Sequence, residues 1–112
     1  MSINQVFFQN NEIETEKINP KVERKIMCYD TDLMLVKVLF EKGGIGEPHK
    51  HPHQQASYVA KGKFEVEIDQ KKKILKAGDS FLVPENKIHG VKCLSKGILI
   101  DTFSPKREAF LE

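Results

Sequence analysis

Cysteine is scarce in this sequence, long apolar runs are absent, and neither sign of charge prevails. Each absence excludes a class of protein. Two cysteines, Cys28 and Cys93, do not make a disulfide framework, and neither belongs to a CxxC pair that would suit a thiolate metal site. They read as reduced thiols in strands. The longest apolar stretch, "LMLVKVLF" at 33–40, is broken by Lys37 and falls far short of a bilayer's thickness. The opening "MSINQVFFQNNE" lacks the charged start and apolar centre of a secretory signal. The expectation is a soluble, cytoplasmic chain with no membrane contact. With 18 basic and 16 acidic residues the net charge is +2. Nucleic acid requires a concentrated basic face. The densest basic run, "QKKKILK" at 70–76, reads instead as a hairpin edge whose lysines discourage edge-to-edge pairing. No nucleic-acid partner is expected.

What is present is a chain of 112 residues with 39% apolar content, enough for one core and one domain. Turn-forming residues recur at short intervals: Asn10-Asn11, Asn19-Pro20, Asp30-Thr31-Asp32, Gly43-Gly44, Gly62, Asp69, Gly78-Asp79, Pro84-Glu85-Asn86 and Gly97. Between them lie short runs rich in Val, Ile, Phe and Leu. In "KFEVEID", Phe64, Val66 and Ile68 alternate with Glu65, Glu67 and Asp69, the signature of a strand with one apolar face. "VERKIMCYD" and "DLMLVKVLF" read as a hairpin around Asp30–Asp32, and "SYVAKGKFEVEI" as another turned at Lys61-Gly62. "SFLVP", "HGVKCL" and "GILIDTF" complete about eight or nine strands, the pattern of an all-β sandwich or barrel. No long helix is expected. The tail "SPKREAFLE" allows one short helical turn, with Ser104 as N-cap and Pro105 at the first helical position.

Histidine is distributed unevenly. Three of the four histidines fall in "GEPHKHPHQQ", residues 46–55. Pro48 and Pro52 hold this stretch extended, and side chains two apart on an extended chain share a face. His49, His51 and Gln55 are therefore in phase. His53 is in phase too, but only some of these groups can converge, and it reads as a rim or supporting residue. His89, in "VPENKIHGV", is the distant fourth member. If its strand lies beside the first, three imidazoles and one amide form a compact cage for a single divalent first-row metal.

These residues also carry a family pattern. Gly43, His49-x-His51, Gln55 and Gly62 in the first half, and Gly78, Pro84-x-Asn86, His89 and Cys93 in the second, resemble the two signature motifs of the cupin superfamily. The resemblance covers about residues 30–105. It implies a double-stranded β-helix, or jelly-roll barrel, as a single domain spanning residues 1–112. It implies metal ligands at His49, His51, Gln55 and His89. Barrels of this kind often pair through N-terminal strands, so a homodimer contact is expected within residues 1–28. Three positions depart from the pattern. Gln55 stands where glutamate is usual, Asn86 where glycine is, and Cys93 where asparagine is. Asn86 is tolerable because asparagine reaches left-handed backbone geometry more readily than most residues.

The neutral amide has chemical meaning. Four uncharged donors leave the ion its full double charge, which suits Lewis-acid chemistry on an anionic ligand and weakens the case for an oxygenase. An amide takes no proton, so a general base must come from elsewhere. In "GILIDTFSPKRE", Leu99, Asp101 and Phe103 share a face, and Asp101 is the candidate. The tail "DTFSPKREAF" resembles the D-x-F-S-P-x-R-E-x-F of small cupins of pectin degradation (KdgF type), a group that linearises 4,5-unsaturated monouronates to open-chain keto acids. Carried over by position, Asp101 and Arg107 would be catalytic, and Phe103 and Arg107 would contact substrate. Lys106 and Ala109 stand where Pro and Asp are common. The implied activity is an isomerase- or lyase-type ring opening of a small anionic sugar acid, with Ni, Mn, Fe or Zn as the ion. The alternatives are a non-catalytic module binding a sugar acid or a metal, and a metal-dependent dioxygenase or isomerase acting on another small molecule.

Overall fold

The computed structural model describes residues 5–112. Eight strands account for the fold: β1 (Glu16–Asn19), β2 (Val22–Tyr29), β3 (Met34–Phe40), β4 (Ile45–His49), β5 (Gln54–Ile68), β6 (Lys71–Lys76), β7 (Ser80–Val83) and β8 (His89–Ser104). Among the described residues only two short 3-10 turns add to them, Asn10–Glu12 and Glu108–Leu111. Among the described residues no helix is long and apolar enough to cross a membrane.

All pairings are antiparallel. The path runs β1-β2-β3-β8-β5-β6, with β4 added to β8 and β7 added to β5. Two strands belong to both layers of the roll. Residues 54–59 of β5 pair with β7 and with the second half of β8, which also pairs with β3. Residues 63–68 of β5 pair with β6 and with the first half of β8, which also pairs with β4. This is the jelly-roll arrangement, closed on itself by two long bent strands.

The hairpin around Asp30–Asp32 forms as the sequence suggests: β2 pairs with β3, and the Asp30 carboxylate accepts the backbone N–H groups of Asp32 and Leu33. The one expected at Lys61-Gly62 does not. There β5 continues without reversing, and three register shifts against β8 fall between Val59 and Phe64. Gly62, at φ +84, supplies a bulge rather than a turn. A Cβ there would meet the Ser95 carbonyl oxygen at 2.5 Å. For the same reason "HGVKCL" and "GILIDTF" are one strand, with Gly97 at the matching bend. The real hairpin lies further on: Asp69 (φ 50) and Gln70 (φ 70) form a two-residue turn of the kind that matches strand twist, leading into the lysine-rich edge strand β6. The tail also differs from expectation. Ser104 is the last residue of β8, and the helical turn begins at Glu108, with Arg107 before it.

The inward face of the roll carries Val22, Phe40, Val59, Phe64, Val66, Cys93 and Leu99, all buried, with Phe40 and Phe64 packed edge to face at 5.0 Å. Met34, Val36 and Phe103 form a second cluster. Cys28 and Cys93 are unbonded thiols on β2 and β8. Between the clusters the inward positions turn polar: His51, Gln55, Ser57, His89 and Asp101 are all buried. A core that interrupts its apolar lining with five polar side chains is holding a site.

Candidate metal centre and its cavity

The histidine-rich stretch is not one continuous strand, contrary to the sequence expectation. β4 ends at His49, residues 50–53 are irregular, and β5 starts at Gln54. The convergence survives because the fold brings the pieces back together. His49 lies directly opposite His89 in the β4–β8 ladder. The backbone N–H of Asn86 donates to the His51 carbonyl at 2.8 Å, tying the connection to the turn before β8. Asn86 holds φ 60, the left-handed geometry that the departure from glycine requires. One nitrogen from each of His49, His51 and His89 lies within 4.8 Å of the other two, so the three are positioned to hold a metal ion. Their rings are 4.4 to 5.4 Å apart, centroid to centroid.

The protonation pattern of this cluster fits a cation. Each ring points Nδ1 at a backbone carbonyl two residues away: His49 at Glu47 (2.9 Å), His51 at His53 (3.0 Å) and His89 at Lys87 (3.0 Å). A carbonyl only accepts, so each Nδ1 carries the proton and each Nε2 presents a lone pair. His89 Nε2 is buried with no hydrogen-bond partner. His51 Nε2 faces the Gln55 Oε1 atom at 3.0 Å, one acceptor against another. Protonating His51 twice would resolve that contact, but burial and the Arg107 charge lower its pKa. A cation between them would resolve it as well, since the imidazole nitrogen and the amide oxygen can both present a lone pair to it. His53 Nδ1 is also buried and unpartnered, and this residue's carbonyl is what orients His51.

A hydrogen-bond chain leads away from this cluster. Gln55 Nε2 donates to Ser57 Oγ at 2.9 Å, and Ser57 Oγ donates to Asp101 Oδ1 at 2.6 Å. Strand register sets the chain: Ser57 pairs with Asp101, and Gln55 with Phe103, in the β5–β8 ladder. Burial pushes the Asp101 carboxyl up to about 6, while the Ser57 hydroxyl and the Arg107 charge hold it from going higher. His89 goes the other way, down to about 4, chiefly because burial disfavours its charged form. A carboxyl near neutrality inside a cleft is suited to moving protons.

These groups open onto one cavity of about 610 Å³, lined by His49, Gln55, His89 and Asp101, by Phe103, Arg107 and Phe110 from the tail, and by Arg24 from β2. Val36, Val38, Phe40 and Leu99 give it apolar walls. The Arg107 guanidinium lies 5.2 Å from the Phe103 ring and 4.4 Å from the Phe110 ring. Burial, and then the Arg24 charge, lower its pKa. Sequence reasoning brought His49, His51, Gln55, His89, Asp101, Phe103 and Arg107 to one place, and the fold does so too. It missed Ser57, Arg24 and Phe110. Ser57 is two residues past Gln55 and was legible by strand alternation. Arg24 sits in "VERKIMCY", which offers no signal that one of its charges faces inward.

A family model described as a cupin domain matches residues 36–102. Pectin degradation protein KdgF of Dickeya dadantii (strain 3937) is 50% identical over 107 residues, covering 94% of this chain and 97% of that protein. The solved structure of KdgF from a Halomonas species superposes with a TM-score of 0.90 at 39% identity, covering 96% of this chain and 99% of that one. An RmlC-like cupin from Shewanella frigidimarina NCIMB 400 superposes with a TM-score of 0.92 at 45% identity over 96% of each chain. With its two motifs folded around three facing imidazoles, the chain belongs to the cupin family.

Proposed function

We propose that this protein is a metal-dependent isomerase that opens the ring of a 4,5-unsaturated monouronate. The observation that supports it most is the buried chain from Gln55 through Ser57 to Asp101, which sets a proton-carrying carboxyl beside three facing imidazoles in a cavity with two guanidiniums. Half of the aligned residues are shared with a relative named for pectin degradation, and pectin is a polymer of uronic acids. His49, His51, Gln55 and His89 would hold one divalent ion. Bound there, it would supply Lewis acidity toward the oxygens of the sugar acid.

The reaction is a redistribution of one proton. The hemiacetal hydroxyl at C1 loses its proton, C1 becomes a carbonyl as its bond to the ring oxygen breaks, and the released enolate becomes a ketone as C4 gains the proton. Asp101 accepts the hydroxyl proton and returns it to C4. A carboxyl at about 6 loses and regains a proton at neutral pH with little penalty either way. Ser57 fixes the carboxylate by donating to Oδ1, which leaves Oδ2 for the substrate. Arg107 clamps the substrate carboxylate through its planar fork, held in place by the rings of Phe103 and Phe110. Phe103 walls the pocket against water.

The test is elemental analysis of the purified protein, then the ultraviolet absorbance of 4,5-unsaturated galacturonate. The absorbance should fall with metal present and persist after chelation. Asp101→Asn should lose at least about a hundredfold in kcat while keeping its metal. Uronate binding without turnover, unchanged in Asp101→Asn, would make the protein a binding module. Oxygen consumption would make it a dioxygenase. A homodimer through the N-terminal residues belongs to the same proposal. It is supported by β1 at the sheet edge and by exposed Val6 and Phe7; residues 1–4 lie outside the described residues. Sedimentation of the purified protein tests it.

A further inference from the structure

We propose that Arg24 is a second carboxylate-binding group of this cavity, and that Glu16 occupies it in the absence of ligand. The inference rests on the sugar-acid reading above. Arg24 projects from β2 into the cavity, and its guanidinium carbon lies 3.9 Å from the Phe110 ring centroid. Arg107 stacks on the same ring at 4.4 Å. Two guanidiniums on one phenyl ring repel each other. The charge of Arg24 is the second largest influence lowering the Arg107 pKa, after burial. Asp101 offsets part of this repulsion on the Arg107 side, and an anion within the cavity would relieve the rest.

The only carboxylate that Arg24 touches among the described residues is a poor partner. Glu16 lies opposite Arg24 in the β1–β2 ladder. Its two oxygens lie 3.4 Å from Nε and from one terminal nitrogen of Arg24, a fork-to-fork approach drawn half an ångström too long. The Glu16 side chain is 40% exposed and well hydrated, while the Arg24 side chain is 18% exposed. The pair is therefore lopsided, with a largely dehydrated cation and a wet anion. β1 is an edge strand of four residues with a register shift between Lys17 and Asn19, so Glu16 is weakly anchored. A substrate carboxylate inside the cavity meets Arg24 on its dehydrated side, where charge-assisted bonds are strongest. Displacing Glu16 returns that group to water, which it already half occupies.

This arrangement makes opposite demands on the two partners, which separates recognition from scaffolding. The probes are D-galacturonate and neutral D-galactose, titrated calorimetrically into the metal-loaded wild type and into Arg24→Gln, Arg24→Lys and Glu16→Gln, each first checked for its folding transition. Galacturonate affinity should fall about tenfold in Arg24→Gln, and less in Arg24→Lys, which keeps the charge and loses the fork. It should rise in Glu16→Gln, where the competing carboxylate is gone. Galactose affinity should not respond to any of the three. With 4,5-unsaturated galacturonate the same changes should appear in KM, with kcat held within about twofold. If Arg24 only pins β1 to β2, Arg24→Gln and Glu16→Gln break the same pair and weaken binding equally; that result overturns the proposal. So does unchanged galacturonate binding in Arg24→Gln, or no uronate binding by the wild type. Binding by the wild type without turnover would overturn the catalytic reading and leave this one in place.

Discussion

In the metal-free protein, two buried groups pull the pH dependence of stability in opposite directions. Burial raises Asp101 from 3.8 to about 6. Its proton is retained in the folded chain after the unfolded chain has lost it, so its effect is to make the fold less stable as pH rises from about 4 to about 6. Burial lowers His89 from 6.5 to about 4, with the charges of His49, His51 and Arg107 adding to the fall. The unfolded chain then binds a proton that the folded chain refuses, so its effect is to make the fold less stable as pH drops from about 6.5 to about 4. Each displacement corresponds to about 3 kcal/mol. Both groups are almost fully enclosed, at 9% and 4% exposed, so solvent screening takes little from these figures. Over this window Asp101 opposes His89, while His51, also lowered chiefly by burial, adds on the side of His89, so the wild type should lose stability only gently as the pH falls. Removing either unmasks the other. Asp101→Asn should gain stability at neutral pH and rise by at least about 3 kcal/mol from about pH 4 to about pH 7, with His51 adding to His89. His89→Gln should fall over the same range. The assay is urea unfolding in chelator at several pH values, read as midpoint times slope. If the wild-type and Asp101→Asn curves run parallel, the carboxyl is not displaced and the proton-carrying role assigned to it loses its basis.

Three further outcomes follow from the packing and the donor set. Gly62→Ala should cost at least about 2 kcal/mol, because the new Cβ meets Ser95 and Lys96 carbonyl oxygens at 2.5 and 2.6 Å on a backbone at φ +84; thermal unfolding checks it. Phe64→Ala should cost about 3–5 kcal/mol, since a fully buried ring leaves a void against Phe40; denaturant unfolding reads it. Gln55→Glu should hold metal more tightly in chelator competition and turn over about tenfold more slowly, because the carboxylate reduces the ion's charge and no longer donates to Ser57.

Most of the site was legible because a metal cage constrains residue type and spacing at once. The phase of Leu99, Asp101 and Phe103 followed from strand alternation, whereas the extended course expected from Pro48 and Pro52 breaks at residues 50–53, and His51 and Gln55 meet only because the fold returns them to one place. Where the reading failed, the cause was tertiary. A glycine between two apolar runs looks the same in sequence whether the chain turns back or bulges and continues, and only the partner strand decides; at Gly62 the approach of Ser95 decides it. The helical turn after β8 shifted for the same kind of reason. Ser104 is held by the ladder to Gln54, so the turn starts at Glu108, three residues later than expected. Arg24 was invisible because its inward course depends on a ring, Phe110, that lies 86 positions away in the chain.

The identity of residue 55 bears on Asp101 as much as on the metal. Gln55 uses its oxygen toward the His51 imidazole and its nitrogen toward Ser57, and Ser57 donates its own hydroxyl proton to Asp101. A carboxylate at 55 has no N–H to give. Ser57 would then have two anions competing for one hydroxyl proton. A second negative charge one hydrogen bond further on would also push Asp101 above the neutral range that proton transfer needs. A cluster that combined glutamate at 55 with a working carboxyl at 101 would need another donor between them, and Val36, opposite Asp101 on its other side, supplies none. On the proposed reading the amide fits this site on two independent grounds: it would leave a bound ion's charge undiminished, and it keeps the Asp101 carboxyl within reach of neutrality.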